Sequence, residues 1–303
     1  MTRGAALLAV TCMATMLASG SVAQEQEQPV KALTGTLQKV DRERSITIGY
    51  REASFPFSYL GVDRQPAGYS IDLCRAIVDE ITREIDKPQI RVEYVAVTPE
   101  TRIPALLSGK IDLECGSTTN NVERQKQVAF SPIIFVSGTK LMVKRRSGIR
   151  SYRDLRGKVV VVTAGTTNEQ VMRRLNEKLQ LGMNVISARD HEESYSLVAE
   201  GRADAFATDD VLLYGLIARH KMQRELIVVG DFLSYEPYGI MFRRGDAELN
   251  DVVMTTFHRL AENRDLLEYY HKWFIRKTPT GERIDLPMSA QLEDIFKVLG
   301  VSD

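Results

Sequence analysis

Residues 114–126 read ECGSTTNNVERQK, which indicates a strand end, a polar turn and a helix start in quick succession. Residues 111–115 alternate apolar and polar side chains, and this alternation predicts a β-strand. Ser117 and Thr119 follow the end of this strand, and Arg124 comes close behind them. Hydroxyl and backbone N–H donors at a strand end, with a guanidinium nearby, suit a carboxylate. The stretch supplies no nucleophile with its base, so it predicts a site that holds an anion.

The first residues have the pattern of a secretory signal peptide. Arg3 precedes an apolar run over residues 5–18, and residues 21–23 (SVA) form a small-x-small cleavage signal. We therefore predict that residues 1–23 are removed on export, and that residues 24–44, which are polar and lack periodicity, form a flexible leader. No later segment approaches 18 uninterrupted apolar residues, so the mature chain is not expected to span a membrane.

Composition limits the remaining possibilities. The 303-residue chain has 40 basic and 40 acidic residues, so it lacks the basic surplus of a nucleic-acid-binding protein. About 280 residues would remain after cleavage, enough for two domains of ordinary size. Cys74 and Cys115 also remain; in an oxidising compartment they either pair or stay as ordinary buried cysteines, and the sequence does not decide between these alternatives.

Predicted strands and helices alternate along the chain, which indicates an α/β fold with mainly parallel sheets. In the first unit the predicted strands are residues 46–50, 91–97 and 111–115, and the predicted helices follow Gly68 and cover residues 103–108. In the second unit, after residues 139–145, the predicted elements are strand 158–163, helix 169–179, strand 184–187, helix 192–200 and strand 203–208.

The two units share a short internal repeat. A helix, the tetrapeptide GKID at residues 109–112 and a strand in the first unit correspond to a helix, GRAD at residues 201–204 and a strand in the second. Eight residues after each glycine stand Ser117 and Asp209, both at the predicted carboxyl end of a strand, where open α/β sheets place their ligands. A hydroxyl and arginine site opposite an aspartate suits the zwitterion of an α-amino acid.

From about residue 46 to residue 274 the chain resembles the periplasmic solute-binding proteins of polar amino-acid ABC transporters (family 3), most closely the glutamate/aspartate-binding branch. Besides residues 114–125, the resemblance rests on motifs in both units: YREASFPFSY at 50–59, GYSIDLC at 68–74, RIPALLSG at 102–109, VVVTAGTTN at 160–168, ISARDH at 186–191, DD at 209–210, EPYGIMFR at 236–243 and HKWF at 271–274. It implies a type II periplasmic binding protein fold, in which two α/β lobes joined by two hinge strands close on a ligand in the cleft between them.

The pattern then suggests where the chain divides. Lobe 1 is expected at residues 45–138 plus 237–303, and lobe 2 at residues 139–236. The crossings between them are expected near residues 137–140 and 235–238. Lobe 1 would therefore be discontinuous in sequence.

The resemblance assigns the ligand's α-groups to four residues. Arg124 would pair with the α-carboxylate, with help from Ser117 and Thr119. Asp209 would take the α-ammonium group.

Five further residues are implied as ligand contacts. Arg51 and Arg102 match the two arginines that hold the side-chain carboxylate in the acidic-amino-acid branch, and His191 matches a histidine brought in by the second lobe. Thr166 and Thr167, in a turn that opens a helix, would add donors from that lobe. One position departs from the branch: Pro99 stands where a serine often assists, and proline has neither a hydroxyl nor an N–H group.

The charges of these residues favour an acidic ligand. Three arginines against one aspartate leave an excess of two positive charges, whereas glutamate and aspartate each carry one net negative charge. Leaving a buried charge without its partner costs about 2–5 kcal/mol, enough to reject glutamine. Glutamate and aspartate differ by one methylene, worth about 1 kcal/mol, so the sequence does not rank them.

The expected function is capture of L-glutamate or L-aspartate in the periplasm and delivery to an inner-membrane ABC permease and its ATPase, by a monomer that needs no cofactor or metal. Two alternatives remain: a secreted cyclohexadienyl-type dehydratase on the same fold, and a ligand-loaded partner of a chemosensory receptor. The chain has no HExxH, GxSxG or Walker A pattern, and no unassigned glutamate or lysine is apparent beside the motif residues, so no enzymatic activity is predicted.

Overall fold

The computed structural model describes residues 1–2 and 32–301; the rest of the predicted signal peptide and residues 24–31 of the predicted leader lie outside them. The first elements are α1 (Gly35–Glu43), β1 (Ser45–Tyr50), β2 (Ala53–Ser54), β3 (Ser58–Leu60), β4 (Pro66–Ala67), α2 (Tyr69–Glu84), β5 (Arg91–Ala96), α3 (Arg102–Leu107), β6 (Leu113–Cys115), α4 (Val122–Gln125), β7 (Val128–Phe130) and β8 (Phe135–Ser137). The middle elements are β9 (Thr139–Lys144), a 3₁₀ turn (Tyr152–Leu155), β10 (Val159–Thr163), α5 (Thr167–Leu179), β11 (Asn184–Ala188), α6 (His191–Ala199), β12 (Ala205–Asp209), α7 (Asp210–Arg219) and β13 (Leu226–Val229). The last are β14 (Glu236–Tyr238), β15 (Met241–Arg243), α8 (Ala247–Glu262), α9 (Asp265–Tyr270), a π-helical turn (His271–Ile275) and α10 (Ala290–Leu299).

Two five-stranded sheets with the same topology organise the described chain. The first has the order β5-β1-β6-β15-β7, and the second has the order β11-β10-β12-β9-β13. In each sheet the first three strands are parallel, the fourth (β15 or β9) runs antiparallel to them, and the fifth pairs antiparallel with the fourth. We call the first sheet with its helices lobe 1 and the second with its helices lobe 2. The predicted two-lobe α/β architecture is confirmed.

A short antiparallel ribbon joins the lobes. Strand β14 pairs with β8, so that Glu236 lies opposite Ser137 and Tyr238 lies opposite Phe135. The chain leaves lobe 1 through β8 and returns through β14. We call these two strands the hinge ribbon.

The internal repeat extends to individual hydrogen bonds. Gly109 and Gly201 end equivalent helices with φ of +75° and +79°, a left-handed conformation that glycine adopts without a steric penalty. The Asp112 carboxylate accepts from the Thr47 N–H at 2.9 Å in lobe 1, and the Asp204 carboxylate accepts from the Val159 N–H at 2.9 Å in lobe 2. Strands β6 and β12 therefore occupy equivalent places, as the repeat predicted.

An aromatic cluster holds the hinge ribbon against lobe 1. The Phe57 ring meets the rings of Phe135 and Tyr238, one from each hinge strand, with centroids 5.1 Å apart in both cases. Phe274 packs on Phe57 and Phe135 from the C-terminal segment. The hinge strands thus pack on the core of lobe 1 through Phe135 and Tyr238.

A disulfide settles the state of the two cysteines. Cys74 of α2 is bonded to Cys115 at the end of β6, with the Cα atoms 6.3 Å apart. The bond anchors the strand end from which residues 116–126 emerge.

The prediction of a flexible leader is wrong for residues 35–43, which form helix α1. Leu37 and Val40 are buried in the core of lobe 1. The Thr36 N–H donates to the Asp246 carboxylate at 2.8 Å, at the start of α8. The helix is therefore ordered by contacts with residues about 200 positions away, which a local pattern does not reveal. Within residues 32–301, no helix is long and apolar enough to cross a membrane.

Candidate ligand-binding cleft

A narrow cleft lies between the lobes beside the hinge ribbon. Both lobes contribute to its lining: Arg51, Arg102, Ser117, Thr119, Thr166, Thr167, Asn168, His191, Asp209 and Leu212. Eight of the nine predicted site residues are among these, and Arg124 is the exception. The cavity between these residues has a volume of only about 10 Å³, roughly the space for one water. The lobes are therefore closed.

Two buried arginines extend into the cleft from lobe 1. Arg51 follows β1 and is 2% exposed, and no acceptor in the described chain is hydrogen-bonded to its guanidinium. Burial, and then the neighbouring Arg102 guanidinium, lower the pKa of Arg51 to about 9. Arg102, the first residue of α3, donates from Nη1 to Thr118 Oγ1 at 2.5 Å, while its buried Nε has no partner among the described residues. These donors can hold an anion in the cleft.

The loop after β6 supplies the predicted anion-binding groups. Ser117 is buried, and its Oγ has no partner within the described chain. Arg124 lies behind the lining: its Nη1 donates to the Thr119 carbonyl at 2.9 Å, and Asn121 caps the short helix α4 that carries it. Burial lowers the pKa of Arg124 to about 9, and Arg102 adds to that effect.

Asp209 faces these cations from the end of β12 in lobe 2. Its Oδ1 accepts from Asn168 Nδ2 at 2.7 Å, and its Oδ2 accepts from the Tyr238 hydroxyl of the hinge ribbon. Burial, and then the Glu236 carboxylate, raise the pKa of Asp209 to about 7. A cationic ligand group would replace the missing solvation and restore the ionised form.

Three more predicted residues line the cleft from lobe 2. Thr166 caps α5 by accepting from the Glu169 N–H at 3.2 Å, and Thr167 begins that helix. His191 begins α6 with 2% exposure, and its Nδ1 lies 2.8 Å from Thr163 Oγ1. Burial, and then Arg51, lower the pKa of His191 well below its usual value, so the imidazole is neutral. It therefore adds a polar contact without adding charge.

Two buried glutamates beside the cleft change the charge balance that was expected from the sequence. Glu114 Oε2 accepts from Thr118 Oγ1 at 2.6 Å, and its Oε1 has no partner among the described residues. Glu236 Oε2 accepts from Thr119 Oγ1 at 2.6 Å and from Thr167 Oγ1 at 2.7 Å. The expected excess of two positive charges is therefore offset by two carboxylates. Any preference for an acidic ligand would therefore come from the local surroundings of Arg51 and Arg102 and not from the net charge of the site.

Sequence reasoning also missed Asn168 and Leu212. Asn168 is 2% exposed and fixes Asp209, and it lies in the quoted motif at residues 160–168, so its position was a usable signal. Leu212 had no such signal, because it looks like any apolar residue of a helix. Pro99 is buried and does not line the cavity. The described residues contain no group of three or more His, Cys, Asp or Glu side chains that could hold a metal ion.

Comparison with known proteins places this cleft in context. The model of the bacterial extracellular solute-binding proteins, family 3, matches residues 46–276. The L-glutamate/L-aspartate-binding protein of Pseudomonas aeruginosa is 43% identical over 292 residues, covering 96% of this chain and 94% of that protein. The glutamate/aspartate import solute-binding protein of Escherichia coli is 39% identical over 291 residues, covering 96% and 95%.

Solved structures share the two-lobe architecture. An ancestral amino-acid-binding protein, described as a precursor of cyclohexadienyl dehydratase, superposes with a TM-score of 0.68 at 29% identity, covering 79% of this chain and 99% of its own. The fold is thus common to proteins that bind amino acids.

Proposed function

The chain belongs to the family 3 bacterial extracellular solute-binding proteins, and from that premise we propose that it captures L-glutamate and L-aspartate by lobe closure. Two relatives covering almost the whole chain at 39% and 43% identity carry glutamate and aspartate in their names. The ligand would then be delivered to an ABC importer in the membrane.

The observation that carries this proposal is the state of Arg51. Arg51 is 2% exposed, and its guanidinium has no hydrogen-bonded acceptor within the described chain. A buried charge without a partner is strongly unfavourable, so the cleft is complete only with an anionic group beside Arg51. The unpartnered Nε of Arg102 can serve the same group. A side-chain carboxylate meets this need, whereas the amide of glutamine does not.

The remaining polar groups suit the α-carbon end of the ligand. Asp209, already held by Asn168 and Tyr238, would accept from the α-ammonium group. Ser117 would donate to the α-carboxylate, and Arg124 would approach it from behind the lining.

The structure changes the role we propose for two hydroxyls. Thr119 and Thr167 donate their single hydroxyl hydrogens to Glu236, so they face the cleft only as acceptors. They would therefore support the ligand's ammonium group and not its carboxylate. Backbone N–H groups and Arg124 would hold the α-carboxylate in their place.

Export and partners form the finer part of the proposal. The family is extracellular by its description, and the predicted cleavage after residue 23 would release the mature chain into the periplasm. There a monomer would dock transiently on an inner-membrane permease that works with its ATPase. Sequence similarity to import proteins supports this assignment.

We also propose that the cleft binds without catalysis. The two buried glutamates beside the cleft, Glu114 and Glu236, lie behind the lining residues and not among them, and Glu236 is held by two hydroxyls. Proton NMR of the protein with L-glutamate and with a cyclohexadienyl amino acid should show no turnover. A product signal would move the assignment to the dehydratase.

Titration calorimetry tests the main proposal directly. The exported protein should bind L-glutamate and L-aspartate tightly, and L-glutamine about 30- to 5,000-fold more weakly, which corresponds to a loss of about 2–5 kcal/mol. Tighter binding of glutamine or arginine than of both acidic amino acids would refute the assignment.

A further inference from the structure

One carboxylate oxygen in the hinge ribbon connects the two lobes. Glu236 stands on β14 and is 2% exposed. Its Oε2 accepts from Thr119 Oγ1 of lobe 1 at 2.6 Å and from Thr167 Oγ1 of lobe 2 at 2.7 Å. The two hydroxyl oxygens lie 3.4 Å from each other. Both threonines line the cleft, whereas Glu236 does not.

These bonds depend on the relative position of the lobes. Thr119 follows β6 of lobe 1, and Thr167 begins α5, which packs on the sheet of lobe 2. Because the hinge ribbon packs on lobe 1 through Phe135 and Tyr238, rotation of lobe 2 would be expected to carry Thr167 away and leave Glu236 with Thr119. The bridge across the lobes is therefore expected only when the cleft is closed.

The same strand also reaches the proposed ammonium site. Residues two apart on a strand point to the same side, and Glu236 and Tyr238 are both buried in β14. The Tyr238 hydroxyl donates to Asp209, a lobe 2 residue. Strand β14 thus holds lobe 2 at two points, Thr167 and Asp209.

We propose that Glu236 is a positioning residue that stabilises the closed cleft by bridging Thr119 and Thr167, and thereby slows release of the bound amino acid. The proposal rests on the proposed function for its ligand, but the bridge itself joins only residues of the chain and can be measured without a ligand. Hydrogen bonds to a charged acceptor contribute about 1.5–3 kcal/mol each, so losing the Thr167 bond should accelerate ligand release about 10- to 150-fold.

Stopped-flow kinetics on Glu236→Ala and Glu236→Gln test this role. Glu236→Ala should raise the dissociation rate of L-glutamate about 10- to 150-fold with little change in the association rate. Glu236→Gln keeps one acceptor oxygen of similar shape, so it should recover part of the loss. Asp231→Asn is the matched control, because it neutralises an exposed carboxylate five residues before Glu236 and should leave both rates unchanged.

A double-mutant cycle distinguishes a bridge from general damage to the hinge. Thr167→Val should raise the dissociation rate by a larger factor in the wild-type background than in Glu236→Ala, where the bond to Glu236 is already lost and only the contact of Thr167 with the ligand remains to be removed. Additive effects would overturn the proposal, and so would an unchanged dissociation rate in Glu236→Ala.

A measurement without ligand separates this proposal from the proposed function. Single-molecule FRET between one dye on each lobe should show that the unliganded protein visits the closed arrangement and that Glu236→Ala shortens those visits. Equal closed lifetimes, or no closed state in the wild type, would overturn the bridge. If the wild type bound neither acidic amino acid, the proposed function would fail, and the FRET comparison would still decide the role of Glu236.

Discussion

At the scale of single residues, the cleft contains buried polar groups that lack hydrogen-bond partners within the described chain. Arg51 has no hydrogen-bonded acceptor in the described chain, and Arg102 and Ser117 each keep one unpartnered buried atom. Preformed, unsatisfied donors favour an anion because little reorganisation is needed when it arrives. Under the proposed function, selectivity for acidic ligands would therefore follow from local electrostatics.

Replacing Arg51 tests this local argument. Arg51→Ala should weaken L-glutamate about 30- to 5,000-fold, since a buried ligand carboxylate would lose its partner. L-glutamine, which has no side-chain charge, should lose much less. Calorimetry with both ligands measures the difference.

The exposed Arg146, in the turn after β9, provides the control. Arg146→Ala should leave both affinities unchanged. Equal losses for glutamate and glutamine in Arg51→Ala would show that Arg51 does not hold the side-chain carboxylate.

Asp209 should make binding depend on pH. Burial, and then Glu236, raise its pKa to about 7, so below that pH a proton competes with the ligand's ammonium group. Affinity should fall with a slope that approaches tenfold per pH unit well below pH 7, and should rise by only about twofold from pH 7 to pH 8. His191 is already neutral in this range, and Arg51 and Arg124, with pKa values of about 9, stay charged.

The same shift affects the unliganded protein. Because the folded pKa of Asp209 exceeds the unfolded one, folding takes up a proton between about pH 4 and pH 7, and its contribution to the free energy of unfolding falls as the pH rises through that window. Asp209→Asn should bind more weakly but lose the pH dependence. A pH profile that persists in this variant would assign the titration to another group.

Most residues that line the cleft were predictable because they stand at strand ends or helix starts, where the backbone pattern shows which way they face. Glu236 was not, although its motif was recognised. Its two partners lie 117 and 69 positions away in the sequence, and only the closed fold brings all three together. Contacts of this kind leave no local pattern.

At the scale of elements, the disulfide connects helix α2 to the end of strand β6, just before residues 116–126. Cys74 and Cys115 are separated by 41 positions, so closing this loop in the unfolded chain should contribute about 4 kcal/mol to stability. Replacing both cysteines with alanine should lower the free energy of unfolding by about that amount in urea titrations. Wild-type protein unfolded under reducing conditions should show the same loss, whereas coincident transitions with and without the bond would contradict it.

Helix α1 shows the limit of reading elements from local sequence. Its polar face resembles the leader before it, and its order comes from docking on α8, where the Thr36 N–H meets Asp246. By contrast, strand β10 was recognisable from its run of valines, because a strand buried on both faces is apolar throughout. Elements that carry their own pattern were predictable, and elements ordered by distant partners were not.

At the scale of the whole molecule, lobe closure relies on close packing between α7 and lobe 1. A Cβ atom on Gly215 of α7 would lie 2.8 Å from the Phe55 carbonyl oxygen. Farther along α7, the Arg219 guanidinium lies 5.6 Å from the Phe55 ring centre and 5.0 Å from that of Tyr59. A glycine inside a helix is unfavourable by about 1 kcal/mol relative to alanine. The glycine at position 215 is therefore explained by the close contact with Phe55 and not by the stability of the helix.

Gly215→Ala should therefore leave the stability of the lobes unchanged or higher, while it makes their closure less favourable. The free energy of unfolding without ligand should stay the same or rise, because alanine favours the helix. Affinity for L-glutamate should fall roughly 5- to 150-fold, because overpacking of about 1–3 kcal/mol opposes the closed arrangement. Thermal melting and calorimetry report the two effects, and unchanged affinity would show that this contact does not limit closure.

The discontinuity of lobe 1 has a consequence for how the chain is made. Lobe 2 draws its sheet from one unbroken segment, β9 to β13, and can assemble as soon as residue 229 is available. Lobe 1 begins to be synthesised earlier, but its sheet keeps an empty place between β6 and β7 until β15 arrives at Met241–Arg243. The lobe that is translated first is therefore completed last, and the growing chain cannot complete the lobe 1 sheet beside its ligand cleft before residue 243 of 303 has been synthesised.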